Sequence, residues 1–190
     1  MIPDGTTADF GITYEGEALS QNTMDVRDLA PSLLALGELF TRANTLLNGE
    51  HTSVSLQVRA TQPVSFDILL LLKQTYSGAT QFLTSDLVTS AANLKDLIAG
   101  VPSTGGEALF SLIKKLKGRK PTEVEPLPKG ETLRVRGGGL NLDLFVPTEV
   151  YRLHRDDEVT RLTQAVVAPL FRQGIDTMVI KEGNRQIESI

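Results

Sequence analysis

The fold is decided by residues 53–72, which read SVSLQVRATQPVSFDILLLL. Between residues 54 and 58, apolar side chains alternate with polar ones, which is typical of a strand with one buried face. After a break at Gln62-Pro63 the alternation resumes, and it becomes continuously apolar from Ile68 to Leu72. Two strands with so short a connection predict an antiparallel pair. The continuous apolar end of the second strand predicts that it is covered on both faces.

A strand and a long helix precede this pair. Residues 10–15 alternate in the manner of a strand, and apolar residues recur at helical spacing between residues 24 and 48. The apolar stripe of this helix consists of Val26, Leu29, Leu33, Phe40, Ala43 and Leu47. Pro31 lies within the pattern, so the sequence predicts either a kink there or a later start of the helix.

Further helices and strands follow the pair, each identified by apolar spacing and by the turn residues around it. They are helices at 85–98, 104–118 and 156–174, and strands at 131–136, 140–146, 176–181 and 185–190. Thr104 with Glu107 forms a capping-box pattern, and Asp156 is a helix cap. The sequence therefore predicts an α+β fold in which helices pack on a mostly antiparallel sheet.

The clearest linker is the proline-rich segment 119–130. It separates a region of residues 1–118 from a region of residues 131–190, and the two form either separate units or one continuous domain. The last strand ends at apolar Ile190 without a polar tail. We therefore expect the native chain to continue past this residue, and we expect the strand edge to pair with another protein or with a second copy of this chain.

Composition narrows the classes of function. The 190-residue chain has a formal net charge of −4, which argues against a surface built as a whole for nucleic acid. It contains no cysteine, so disulfides and thiolate zinc sites are excluded. A reducing compartment fits this composition, and we expect a cytoplasmic protein. The longest apolar run is far shorter than the ~20 residues that a membrane-spanning helix needs.

The sequence offers little for catalysis. The only histidines, His51 and His154, have no histidine or cysteine close to them, and we expect both to be solvated loop residues. The glycines at 137–139 precede a strand pattern, which favours a hairpin turn over a phosphate-binding loop. No cofactor and no metal site is predicted. A hydrolase whose site assembles from scattered Asp, Glu and Ser residues stays open as an alternative.

The candidate binding residues form a basic cluster in an otherwise acidic protein: Lys114, Lys115, Lys117, Arg119 and Lys120. Cations at the end of a helix complement its dipole, so a purely structural role is one interpretation. The other is a surface that faces an anion, such as an acidic partner protein or, as the less favoured partner, nucleic acid.

Three stretches carry a resemblance to a known family: residues 24–31 (MDVRDLAP) with their continuation to Asn44, the strand pair from Val58 to Phe66, and Leu112 to Lys120. They resemble a family of uncharacterised proteins found in bacteria and their prophages. The resemblance implies a bacterial or phage origin and a role in the conflict between phage and host. Members of that family carry no assigned activity, so the resemblance supplies no catalytic residue.

These observations favour a non-enzymatic module for protein–protein interaction or assembly. The prediction rests on the missing chemistry and on strands with apolar edges, which bind other chains by strand addition. Binding of an anion or nucleic acid through residues 114–120 is the first alternative, and the hydrolase is the second.

Overall fold

A computed structural model gives the structure of the chain in six ranges. The described residues are 5–21, 23–59, 67–76, 89–128, 130–137 and 143–190.

Eight strands and five α-helices form within these ranges. The strands are β1 (Gly5–Glu15), β2 (Thr52–Arg59), β3 (Asp67–Tyr76), β4 (Pro121–Pro126), β5 (Thr132–Gly137), β6 (Leu144–Pro147), β7 (Thr177–Glu182) and β8 (Arg185–Ser189). The helices are α1 (Val26–Asn48), α2 (Ala91–Ala99), α3 (Leu109–Leu116), α4 (Thr148–His154) and α5 (Asp157–Val166). Every strand pairing is antiparallel, which confirms the predicted α+β fold with an antiparallel sheet.

The strands form two sheets. The larger has the order β2-β3-β1-β7-β8, and the smaller has the order β4-β5-β6. The predicted pair is confirmed, because β2 lies antiparallel to β3 with Leu56 opposite Leu72. Strand β1 pairs with both β3 and β7, so strands from the two ends of the sequence share one sheet. Residues 121–126, predicted as part of a linker, form strand β4 and pair with β5.

One face of the large sheet carries the core. Phe10, Ile12 and Tyr14 of β1 are buried on that face, as alternation along a strand requires. The opposite face is more open, and Leu69 of β3 is 44% exposed, so the prediction that this strand end is covered on both faces is wrong. The exposed side chain shows that a run of apolar residues does not by itself bury both sides of a strand.

Helix α1 covers the buried face with a stripe that differs from the predicted one. Phe40 and Ala43 are fully buried as expected, but Val26 is 69% exposed. Leu36 and Leu39 are buried in the core and were not part of the predicted stripe. The buried face of α1 also includes the polar residues Ser32, Asn44 and Asn48. Because apolar periodicity does not detect buried polar residues, the predicted stripe lies on a partly different side of the helix.

A buried polar network fixes the end of α1 over β2 and β3. The Asn44 amide donates to the Thr52 carbonyl at 3.0 Å, and the Asn44 amide oxygen accepts from the Thr52 hydroxyl at 2.8 Å. Asn48 donates to the same amide oxygen at 2.9 Å, and Gln74 of β3 donates to it at 3.2 Å. Because buried polar groups need partners, these bonds hold the helix in one position on the sheet.

The helix caps agree only in part with the prediction. Asp25, which was not predicted as a cap, caps α1, and the helix begins at Val26 with Pro31 inside it. The predicted capping box is wrong, because α3 begins after Ala108 with no side-chain cap and Glu107 instead accepts from Ser111. Asp156 caps α5 as predicted, and its Oδ1 accepts from the Val159 N–H at 3.0 Å.

The predicted boundaries of three helices change, and the helix predicted at 104–118 covers only Leu109–Leu116. α2 begins at Ala91 with Ser90 as its cap, later than predicted, and residues 85–88 lie outside the described ranges. α5 ends at Val166, and a short 3₁₀ helix, Ala168–Phe171, follows it. Within the described ranges, no helix is both long and apolar enough to pass through a membrane.

Candidate functional site

A groove runs between α1 and the large sheet and has a volume of about 790 Å³. Its apolar lining comes from α1, β2, β3 and α5 and consists of Leu33, Leu34, Leu56, Val58, Leu70 and Leu162. Leu34 is 70% exposed and Val58 is 61% exposed, so two large apolar side chains face solvent in one concave surface. Concave apolar surfaces with a few polar groups are the usual form of binding sites.

A glycine keeps this groove open. Gly37 is the middle residue of the 23-residue helix α1 and lines the groove. Inside a helix, glycine is less favourable than alanine by about 1 kcal/mol. A Cβ at this position would lie 3.9 Å from Leu56 Cβ, an ordinary contact distance. Packing therefore does not require glycine at this position. The absence of a side chain at Gly37 leaves space above Leu56.

The groove rim is acidic on balance. Glu38 and Glu158 line it, and both approach the same arginine, Arg161, at 3.9 and 2.6 Å. Arg42 also lines the groove, but its guanidinium binds the Asp156 carboxylate at 2.6 Å. The hydrogen bond from Arg42 holds the pKa of Asp156 below its ordinary value. The rim thus holds three carboxylates, Glu38, Glu158 and Asp156, against the two guanidinium groups of Arg42 and Arg161, which leaves one net negative charge.

Strand β2 forms the edge of the large sheet next to this groove. Within the described ranges, β2 pairs with β3 alone. In an antiparallel pair, every second residue of an edge strand directs its N–H and C=O groups away from the neighbouring strand. The side chains of Leu56 and Val58 line the groove, so the open edge and the apolar surface adjoin.

The other edge strand, β8, contacts helix α3 in addition to its neighbour β7. Lys114 of the basic cluster donates to the Ser189 carbonyl at 2.5 Å and lies 3.5 Å from Glu188. Ile190 exchanges two backbone hydrogen bonds with Met178. These contacts hold residues 188–190 on β7 and α3. Of the two edges, β2 is therefore the better candidate for a binding edge.

The structure divides the predicted basic cluster into two groups. Lys114 and Lys115 form ion pairs, with Glu188 and with Glu107 at 2.6 Å. Lys117, Arg119 and Lys120 follow the end of α3 and form no ion pair with any described residue. Lys117 has a left-handed backbone with a φ of 54°, at the position where helices usually place glycine.

The prediction that both histidines are solvated loop residues can be checked for one of them. His154 is the last residue of α4 and is half-buried, so the prediction of a solvated loop residue is wrong. His51 lies in the short 3₁₀ helix Gly49–His51, and its side chain lies outside the described part of the structure. The glycine turn at 137–139 also falls mostly outside it, since 138–142 are not described. Among the described residues, no three His, Asp or Glu side chains cluster as metal ligands do.

Sequence reasoning missed the groove because its residues come from four separate elements. Two local signals pointed to it. One is Gly37 in the middle of a strong helical pattern, and the other is Leu34, an apolar residue off the buried stripe. Comparison of the chain with protein-family models, with curated proteins and with solved structures finds no match.

Proposed function

We propose that this protein is a non-enzymatic interaction module that binds an extended segment of another protein along β2. The observation that supports this most strongly is the apolar groove that adjoins an edge strand with no second neighbour among the described residues. We further propose that the protein acts in the cytoplasm of a bacterium, in a role that involves a phage.

Strand addition explains why the edge and the groove occur together. An added strand would form main-chain hydrogen bonds with the free groups of β2, and these bonds are independent of its sequence. Because side chains alternate between the faces of a strand, every second residue of the added segment would point into the groove. There it would contact Leu34, Leu56 and Val58, which supply specificity for apolar side chains.

The negative charge of the groove rim indicates which residues the bound segment should carry. Glu38 and Glu158 share Arg161 and leave the rim negative. A lysine or arginine in the bound segment would complement this charge and steer the encounter. We therefore propose an occupant with apolar residues at alternate positions and at least one basic residue, carried by a protein other than this one.

Selection from random peptides tests this proposal without knowledge of the partner. The library displays eight-residue peptides, because β2 has 8 residues. We expect the selected peptides to alternate apolar and polar residues and to be enriched in lysine or arginine. Leu34→Glu and Val58→Glu should each weaken their binding by roughly tenfold or more, since each places a carboxylate against buried apolar surface.

Two matched controls separate binding from general surface effects. Val26 lies on the same helix as Leu34 and has a similar exposed fraction, 69% against 70%. Val101 has nearly the same exposed fraction as Val58, 62% against 61%. Val26→Glu and Val101→Glu should leave the affinity unchanged, because neither residue lines the groove. Selected peptides that bind all four variants equally would refute the proposal. Peptide-independent self-association that Val58→Glu abolishes would show a second copy as the occupant instead.

A further inference from the structure

A second surface, distinct from the groove, collects cations that have no carboxylate partner. Most described arginine and lysine side chains form ion pairs, but five near α3 and α4 do not. Three of them follow α3, one lies on α4 and one follows α4, and these two helices pack against each other. The five residues are Lys117, Arg119, Lys120, Arg152 and Arg155.

Three of these cations line one cleft. Arg119, Lys120 and Arg155 surround a cavity of about 490 Å³ between the segment after α3 and the helices α4 and α5. This volume is in the range of pockets that hold small molecules, about 300–1,000 Å³. Tyr151, Thr160 and Asp157 also line the cleft, and Asp157 is the one carboxylate among the lining residues.

His154 contributes a half-buried ring to the wall of the cleft. Its ring lines the cavity and stacks on Tyr151 with 6.4 Å between the ring centroids. Nδ1 is buried and has no hydrogen-bond partner among the described residues. Burial lowers the pKa of His154, so the ring is neutral near pH 7.

We propose that this cleft binds a small phosphate monoester through Arg119, Lys120 and Arg155, with His154 as a further contact. Guanidinium groups match the oxygens of a phosphoryl group in pairs, and several cations around one cavity favour a dianion. The concave shape and the net charge of −4 favour a compact ligand over a long polyanion. Thr160 and Asp157 supply hydrogen-bond partners for the hydroxyl groups of a sugar.

The test is an NMR titration of the wild-type protein with inorganic phosphate, ribose 5-phosphate, adenosine 5′-monophosphate and unphosphorylated ribose. The chain has two histidines, and a His51→Gln variant assigns the His154 ring signals. We expect saturable shifts of these signals with the phosphorylated probes and none with ribose. Bound phosphate should also raise the pH at which the His154 ring titrates, because an anion favours its charged form.

Substitutions identify the contacts. Arg119→Gln and Arg155→Gln should each weaken binding about tenfold or more, and both side chains are exposed, so the fold should persist. Arg152→Gln is the matched control, because Arg152 is an exposed arginine on α4, close to Arg155 in the sequence, and does not line the cleft. It should change the affinity less than about twofold.

Two results would overturn the proposal. One is the absence of a saturable shift with any phosphorylated probe up to about 10 mM, well above the range of a specific site. The other is tighter binding of a single-stranded oligonucleotide than of either small phosphate ester, with Arg152→Gln as damaging as Arg155→Gln. That outcome would show an extended surface for nucleic acid in place of a small-molecule cleft.

Discussion

Replacing Gly37 by alanine is expected to stabilise the protein. Gly37 occupies the middle of α1, where alanine is favoured over glycine by about 0.8–1.0 kcal/mol. The added Cβ would meet Leu56 Cβ at 3.9 Å, so no repulsion offsets this gain. We therefore expect the free energy of unfolding to rise by about 1 kcal/mol and the melting temperature by roughly 2–4 °C for a chain of this size.

The assay is urea denaturation followed by far-UV circular dichroism, with peptide affinity measured in parallel. Gly37→Leu extends the side chain beyond Cβ into the groove, so it should weaken the selected peptides while the protein stays folded. Asn93→Ala is the control for helix propensity alone, since Asn93 is exposed on α2, away from the groove. It should add a few tenths of a kcal/mol and leave the affinity unchanged.

Two outcomes would refute this reasoning about Gly37. A loss of stability in Gly37→Ala would show that the helix and β2 are packed too closely for a methyl group. Unchanged peptide affinity in Gly37→Leu would show that the space above Leu56 is not used for binding. The first result concerns packing and the second concerns function, so the two can be told apart.

Two further predictions concern the parts of α1 and α5 that hold the groove in place. Phe40 is fully buried, with its ring centroid 5.6 Å from that of Phe10, so Phe40→Ala should lower the free energy of unfolding by about 3–5 kcal/mol in urea denaturation; a change below about 1 kcal/mol would contradict the burial. Asp156 has a lowered pKa in the folded protein, so its stabilisation is present above the ordinary value of 3.8 and is lost as the pH falls through the folded value. Asp156→Asn keeps a capping side chain and should cost less than about 1 kcal/mol at pH 7. That cost should disappear in acid, and an equal cost at pH 7 and pH 2 would disprove the role of the charge.

The sheet was largely predictable from the sequence because its signal is local. Alternation of apolar and polar residues predicts that β1, β2, β3 and β7 exist, although β1 begins at Gly5 instead of residue 10 and β3 continues to Tyr76. Gly183-Asn184 is a hairpin-turn sequence, and it lies between β7 and β8. Strand β4 was missed because its prolines resemble those of a linker. Strand β4 nevertheless pairs with β5, and Val124 of β4 lies opposite Val135 of β5. Proline content does not reveal such a tertiary contact.

The helix faces and the site were less predictable, because they depend on contacts between distant residues. Ser32 is buried since its hydroxyl bonds the Val166 carbonyl at 2.6 Å and lies 2.6 Å from the Tyr14 hydroxyl. No apolar pattern could place such a residue in the core. The basic cluster was visible in the sequence, but its division into paired and unpaired cations depends on Glu107 and Glu188, which the fold brings to it.

Amide hydrogen exchange of β2 in the presence of a selected peptide tests the central proposal most directly. In the free protein, alternate amides of Thr52–Arg59 should exchange rapidly, because only those that face β3 are bonded within the sheet. Peptide binding by strand addition should protect the rapidly exchanging amides and leave those of β8 unchanged. If the peptide binds while the alternate amides of β2 continue to exchange rapidly, β2 is not the binding edge.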